Sequence, residues 1–289
     1  MQSQTTMTRT AVATAATVLG AAAAVAKDAK RPPRRRHGND PATAAEEKPA
    51  LDKASIDKAF EALKTFDWGV DPKKYRELLG SIDDLVPATH GDAAARKELE
   101  TRLAAVLPSG ASRAAKDFVG RKLAIIGTAE STPALAALLP DKDLSHMARY
   151  ALERIPAPEA GKALRAALVK TSGAEKAGVI GSLGVRRDTE SIEDLAALVG
   201  DSDARIALAA ATALGDIGTV ESAQALQAAK PASDAVKLRV ADAQLTAAER
   251  LLAAGDKAGA LAVYKSLIAS PAKNIRLAAT RGMLLASGK

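Results

Sequence analysis

The chain has 289 residues, a formal net charge of +7, no cysteine and 68 alanines; 47% of its residues are apolar and 26% charged, a composition that favours helix and does not suit a wholly disordered chain. The lack of cysteine excludes disulfide frameworks, thiolate zinc sites, iron–sulfur clusters and thiol catalysis. Three histidines, His37, His90 and His146, leave little for imidazole-based metal or acid–base chemistry.

Arg9 contributes one positive charge. Residues 27–50 hold seven basic side chains (Lys27, Lys30, Arg31, Arg34, Arg35, Arg36, Lys48) against four acidic ones (Asp28, Asp40, Glu46, Glu47), which leaves +3 of the +7 for residues 51–289. A segment so near neutrality lacks the electrostatic footprint of a nucleic-acid-binding domain.

Residues 1–26 read as a signal peptide. The stretch 10–26 is uncharged, small and apolar, follows Arg9 and ends in Ala24-Val25-Ala26, the A-x-A pattern of a signal-peptidase site. It is too short and too weakly apolar for a permanent membrane span, so no stable span is expected after processing. The expected location is periplasmic or secreted. The basic cluster that follows opposes translocation, and a cytoplasmic location, with a transit peptide or plain leader, is the alternative. Residues 27–50, with four prolines and no large apolar side chain, read as a disordered, basic, Pro-rich linker. Arg34-Arg35-Arg36 fits either a phosphate- or lipid-binding patch or a solvated spacer, and the absence of interleaved aromatic residues favours the spacer.

Residues 51–113 read as an irregular helical N-terminal cap. Ile56, Phe60 and Leu63 fall at i, i+4, i+7 and predict an amphipathic helix. Asp71-Pro72 opens a second helix through Leu79, and Asp92 to Leu107 forms a third. Phe60, Phe66, Trp68 and Tyr75 are four of the seven aromatic residues in the chain. They form either an apolar plug for the first repeat, the favoured reading, or a binding patch built on Trp68, since aromatic residues dominate interface hot spots.

From about residue 114 the chain repeats itself. Apolar runs around Leu135, Leu164, Leu195, Leu226 and Leu261 recur at intervals of 29, 31, 31 and 35 residues. Those around Leu123, Leu152, Leu183 and Leu214 keep step at 29, 31 and 31. The turns between them carry helix-entry signals. Thr128, Asp188 and Thr219 fit N-caps, and Pro158 fits a first helical position. Glu130, Glu159, Glu190 and Glu221 fall in first turns, where the helix dipole favours negative charge. Breakers at Pro140-Asp141, Thr171-Ser172-Gly173, Gly200 to Asp203 and Pro231 to Ser233 separate the units. Each unit is thus a helix, a turn and a second helix in about 30 residues, which must stack on neighbours to bury its apolar face. The alanine-rich run 207–213 is expected to be the most enclosed helix.

This pattern resembles the HEAT-like repeats of bacterial proteins, in particular the short phycobilin-lyase type. The matching stretches are Asp203 to Gly218 and Ser145 to Leu152, within a resemblance that spans roughly residues 114–289. It implies an all-α, right-handed α-solenoid of about five hairpins plus a terminal half-repeat running from Asn274 to about Ala286. The family's early arginine falls near Arg149, Arg205, Arg239 and Arg276, whereas the unit at Ala174 has Lys176 nearby. Gly255 to Tyr264 also resembles half of a tetratricopeptide hairpin, near residues 244–270, and reads as a longer HEAT-like unit.

No G-x-S-x-G, P-loop, G-x-G-x-x-G, H-E-x-x-H or calcium-loop motif is present. Gly181 to Gly184 lies inside a predicted helix. His90, in a predicted loop, and His146, at a helix start, lack carboxylate companions. No catalytic, cofactor-binding or metal-ligating residue is expected. The resemblance implies a binding scaffold, a monomer whose concave face, lined by the second helix of each unit, takes a protein partner. Polar residues expected to project there are Lys162, Arg165, Glu193, Gln224 and Gln227, with Trp68 as the aromatic candidate. The alternative is an accessory or bilin-lyase-like enzyme subunit with a small-molecule pocket. Nucleic-acid binding through the basic linker is a third possibility, and no specific nucleic-acid partner is expected.

Overall fold

The computed structural model describes residues 53–288. The signal-peptide and linker readings, at 1–26 and 27–50, lie outside the described residues. The described residues belong to one compact unit, in which every regular element described is a helix. In chain order these are α1 (Lys53–Thr65), α2 (Pro72–Ala88), α3 (Ala93–Val106), α4 (Arg113–Ile126), α5 (Thr132–Ala136), α6 (Ser145–Leu152) and α7 (Pro158–Ala167). There follow α8 (Gly173–Arg186), a 3-10 turn (Thr189–Ser191), α9 (Ile192–Leu198), α10 (Ala204–Ile217), α11 (Val220–Ala228), α12 (Asp234–Ala253), α13 (Lys257–Leu267) and α14 (Lys273–Ala286).

The helices form two layers. α4, α6, α8, α10, α12 and α14 stand side by side in one. Shorter helices back them in the other, where α3 packs on α5, α5 on α7, and α9 on α11. The architecture is an α-solenoid. α1 and α2 pack on each other and on α4, and Phe60, Leu63, Phe66, Leu79 and Ile82 join the same buried cluster as the repeat leucines. α2 continues past Leu79 to Ala88, because Pro87 falls in the final turn, where a proline terminates a helix rather than breaking its middle.

Leu123, Leu135, Leu152, Leu164, Leu183, Leu195, Leu214 and Leu226 are all buried, none above 1% exposure. Leu261 departs from this register: it is only partly buried, and Ala260, Tyr264 and Leu267 fill the core in its place. The core itself divides along α12. Val236, Val240 and Ala243 belong to the main cluster, and Ala247, Ala248 and Leu251 belong to a second one with α13 and α14.

The Leu-Gly pairs have a steric cause. A Cβ at Gly184 would lie 2.8 Å from the Cα of Ala213, and one at Gly215 would lie 2.8 Å from the carbonyl oxygen of Ala243. Backbone therefore meets backbone where α8 crosses α10 and where α10 crosses α12. Ala207, Ala210, Ala211 and Ala213 are fully buried in these contacts. The run 207–213 is not enclosed throughout, however. Leu208 and Ala209 are half-buried, and Thr212 faces solvent with its hydroxyl donating to the Leu208 carbonyl.

Helix entry follows the sequence at Asp71, Asp92 and Thr219. Asp71 accepts from the amides of Lys73 and Lys74, Asp92 from that of Ala95, and Thr219 forms a reciprocal capping box with Ser222. Two expected caps act differently. Thr128 does not cap α5, which starts at Thr132. The amides of Thr128 and Ser131 instead donate to the buried carboxylate of Glu100, on α3. Asp188 caps nothing with its side chain because that carboxylate is bound to Arg165. In both places a charged group from the neighbouring repeat has displaced the local cap, since charge-assisted hydrogen bonds are the stronger ones.

The arginines at the family's early position form no common ladder. Arg149 lies over Gly178 and donates to its carbonyl at 3.2 Å. Arg205 pairs with Asp203, Arg239 with Asp242, and Arg276 donates to the carbonyls of Ser270 and Pro271. Ties between repeats come from elsewhere too. Arg186 donates to the carbonyls of Leu152, Ile155 and Ala157, closing the end of α6, and Arg250 pairs with Asp216 at 2.7 Å.

Two glycines of adjacent helices separate the steric requirement from ordinary helix propensity. A Cβ at Gly181 would meet nothing within 4 Å, so Gly181→Ala should raise stability by about 0.5–1 kcal/mol. Gly215→Val should lower it by about 2–3 kcal/mol, through overpacking against α12. Urea denaturation of the two variants checks the opposite signs.

Candidate functional site

Two surfaces come forward. The first is a row on the shorter layer. Lys162 on α7, Glu193 on α9 and Gln224 on α11 are each 31 residues apart and all three are exposed. α9 and α11 pack on each other, and the three side chains are one positive, one negative and one neutral polar group. Gln227 is also exposed, and its amide donates to the Ser266 hydroxyl on α13 at 3.4 Å. Arg165 is placed otherwise. It is half-buried, with one guanidinium nitrogen 2.5 Å from Asp188 and the other 2.9 Å from Glu190. Its charge is spent joining α7 to the turn before α9, which corrects the expectation of a freely projecting arginine.

The second surface is in the cap. Phe60 and Phe66 are buried, as a plug requires. Trp68 is not part of that plug: it is 57% exposed. Its ring meets Phe66 edge-to-face at 6.3 Å, Phe66 meets Tyr75 at 6.1 Å, and Tyr75 meets Phe118 at 6.3 Å. Such edge-to-face pairs are the preferred aromatic geometry. Together with Val70, Pro72, Asp117 and Arg121, these rings line an open pocket of about 390 Å³. Gly69 turns the connecting loop at φ +88°, and Asp71-Pro72 starts α2 beside it.

The pocket wall is held from behind. The Tyr75 hydroxyl donates to Asp83 at 2.9 Å, and Asp83 is 2.5 Å from the Lys122 ammonium, which sits 4.7 Å from the Phe118 ring centroid. The Tyr75 phenol is pushed up to about 12, first by burial and then by the hydrogen bond to Asp83 and that carboxylate's charge. The Nε of Arg121 donates to Asp117 at 2.8 Å, and the guanidinium carbon lies 6.0 Å from the Trp68 ring centroid.

The sequence had identified Trp68 but not Phe118, Asp117 or Arg121. These three come from α4, more than forty residues further on, and no spacing signal joins them to the cap. Its one available sign was that Phe118 is the large aromatic residue on the first repeat helix. Among the described residues no group of three or more histidine, aspartate or glutamate side chains could hold a metal. No described helix is long and apolar enough to cross a membrane.

The recurring hairpins, buried leucines and glycine-mediated crossings agree with what sequence comparison finds: the family model for HEAT repeats matches residues 161–244, from α7 into α12. Over this stretch the chain is similar to HEAT-repeat proteins. Curated protein sequences give no match. Among solved structures the chain is similar to an engineered protein, at 19% identity, covering 72% of this chain and 96% of that one with a TM-score of 0.35. It is also similar to human deoxyhypusine hydroxylase in complex with glycerol, at 17% identity, covering 82% and 97% with a TM-score of 0.33. The row of Lys162, Glu193 and Gln224 lies within the matched HEAT repeats, and the aromatic pocket lies before them.

The elevated Tyr75 value carries a sign. The folded state holds the phenol above the ordinary tyrosine value of about 10, so the protonated form favours folding. That contribution is complete below about pH 10 and is lost as pH rises through the folded-state value. An absorbance titration at 295 nm should show a step near pH 12 that is missing from Tyr75→Phe. Ionisation of Tyr75 near pH 10 would contradict the half-buried Asp83 contact.

Proposed function

We propose that the protein is a non-catalytic scaffold that binds another protein across the shorter layer of its HEAT repeats. The observation that carries this reading is the row itself: Lys162, Glu193 and Gln224 occupy one register of three successive repeats, and all are solvent-facing. A solenoid that repeats a polar position at a fixed pitch offers an extended surface, and extended surfaces of this kind are what repeat proteins use for binding. Mixed charge and the lack of aromatic residues along the row suit a polar contact that specifies its partner and its register.

The titratable groups beside the open aromatic pocket support the non-catalytic reading. Asp117 and Arg121 bind each other, and the Tyr75 hydroxyl is committed to Asp83. The phycobilin-lyase type of repeat, resembled at Asp203 to Gly218, adds no converging acid and base to this picture. The proposed protomer is a monomer, and the proposed location is the periplasm or the medium, on the strength of residues 10–26 and the Ala24-Val25-Ala26 pattern.

A photo-crosslinking residue placed at 193, at 224, and as a control at the exposed Val185 on α8 tests the proposal in the native cells. One partner of the same mass should be captured at 193 and 224 and be absent at 185. Capture at all three positions alike, or at none, would contradict it.

A further inference from the structure

The pocket beneath Trp68 combines three features. Its wall is aromatic and fixed: Phe66, Trp68, Tyr75 and Phe118 interlock edge-to-face, and Tyr75 is anchored through Asp83 to Lys122. Its volume of about 390 Å³ lies at the small end of ligand pockets, which run from about 300 to 1,000 Å³. It suits one large apolar side chain rather than a long segment. Its lining includes a guanidinium that is only partly used. Asp117 takes the Nε of Arg121, while the two terminal nitrogens make no hydrogen bond among the described residues, and the side chain is 63% exposed. Such a fork pairs two N–H groups with one carboxylate.

An apolar cavity with the two terminal guanidinium nitrogens of Arg121 in its lining suits a large apolar group bearing a carboxylate. We infer that this pocket binds the C-terminus of a partner polypeptide ending in a large apolar residue. The last side chain enters between Trp68 and Phe118, and the terminal carboxylate sits on the terminal nitrogens of Arg121. A chain terminus is favoured over an internal segment because an internal peptide offers the fork no charge next to the buried side chain. An apolar terminus needs no basic partner of its own, so it leaves the Asp117 pair intact. The site lies before the HEAT repeats and is separate from the row on α7, α9 and α11, so its failure would leave that reading standing.

Trp68 is the single tryptophan of the chain, which makes its emission a reporter of the pocket. The probes are three hexapeptides ending in leucine, phenylalanine or tryptophan, each with a free or an amidated C-terminus, together with N-acetylphenylalanine. The tryptophan peptide is read by anisotropy of an N-terminal label and the others by Trp68 emission. At least one free-acid peptide should shift the Trp68 emission to the blue with saturation, and its amide should bind about tenfold or more weakly. Arg121→Gln, at an exposed position that leaves circular dichroism unchanged, should reduce the acid to the level of the amide. The assignment is overturned by equal binding of acid and amide, by an acid preference that survives in Arg121→Gln, or by no binding of any peptide. Binding of N-acetylphenylalanine as tight as that of the best peptide would give the pocket to small carboxylates and would also overturn it.

Discussion

Main chain lies against main chain where α8 crosses α10 and where α10 crosses α12, and nearly everything else in this molecule follows from that closeness. Gly184 faces Ala213 and Gly215 faces Ala243 with no space for another carbon. Helices that approach so nearly can carry only small residues on the facing surface, as at the buried Ala207, Ala210, Ala211 and Ala213. The leucine before each of these glycines points into the space between the layers, where it is wholly buried. Alanines and leucines fill the middle of the stack, and the buried aromatic residues lie toward its ends, where α1 and α2 cover α4 and where Tyr264 lies against Gly282.

Several charged groups bind one hairpin to the next. Glu100 reaches into the turn of the following hairpin, Arg186 closes the last carbonyls of α6, and Arg250 pairs with Asp216. Arg165 with Asp188 belongs to the same set. Each of these groups is half-buried or buried. Leaving a buried charge without its partner costs far more than an exposed pair contributes, so these contacts fix the order and register of the hairpins. The exposed polar groups that remain, such as those in the row at 162, 193 and 224, are free of that structural duty.

The fold was legible because a repeat writes the same constraint several times. The leucine intervals placed the hairpins, and Asp71, Asp92, Pro158 and Thr219 marked helix starts. Errors arose where a distant residue overrode a local signal. Thr128 and Asp188 look like caps to their own helices, but Glu100 and Arg165 decide how those turns are held. Leu261 looks like the next repeat leucine, but α12 runs for twenty residues and shifts the register so that Tyr264 enters the core. The candidate sites divide in the same way. The polar row follows from periodicity alone. The aromatic pocket draws on two elements far apart in sequence, so the sequence could supply Trp68 and Tyr75 but could not supply Phe118 or Arg121 as their neighbours.

A hairpin that depends on its neighbours for burial is most stable in the middle of the stack and least stable at its ends. Amide hydrogen exchange under native conditions measures this directly, helix by helix. Protection should be greatest along α8, α10 and the first half of α12, and should fall toward α1 and α14. Equal protection along the whole chain, or terminal helices that outlast α10, would contradict the account.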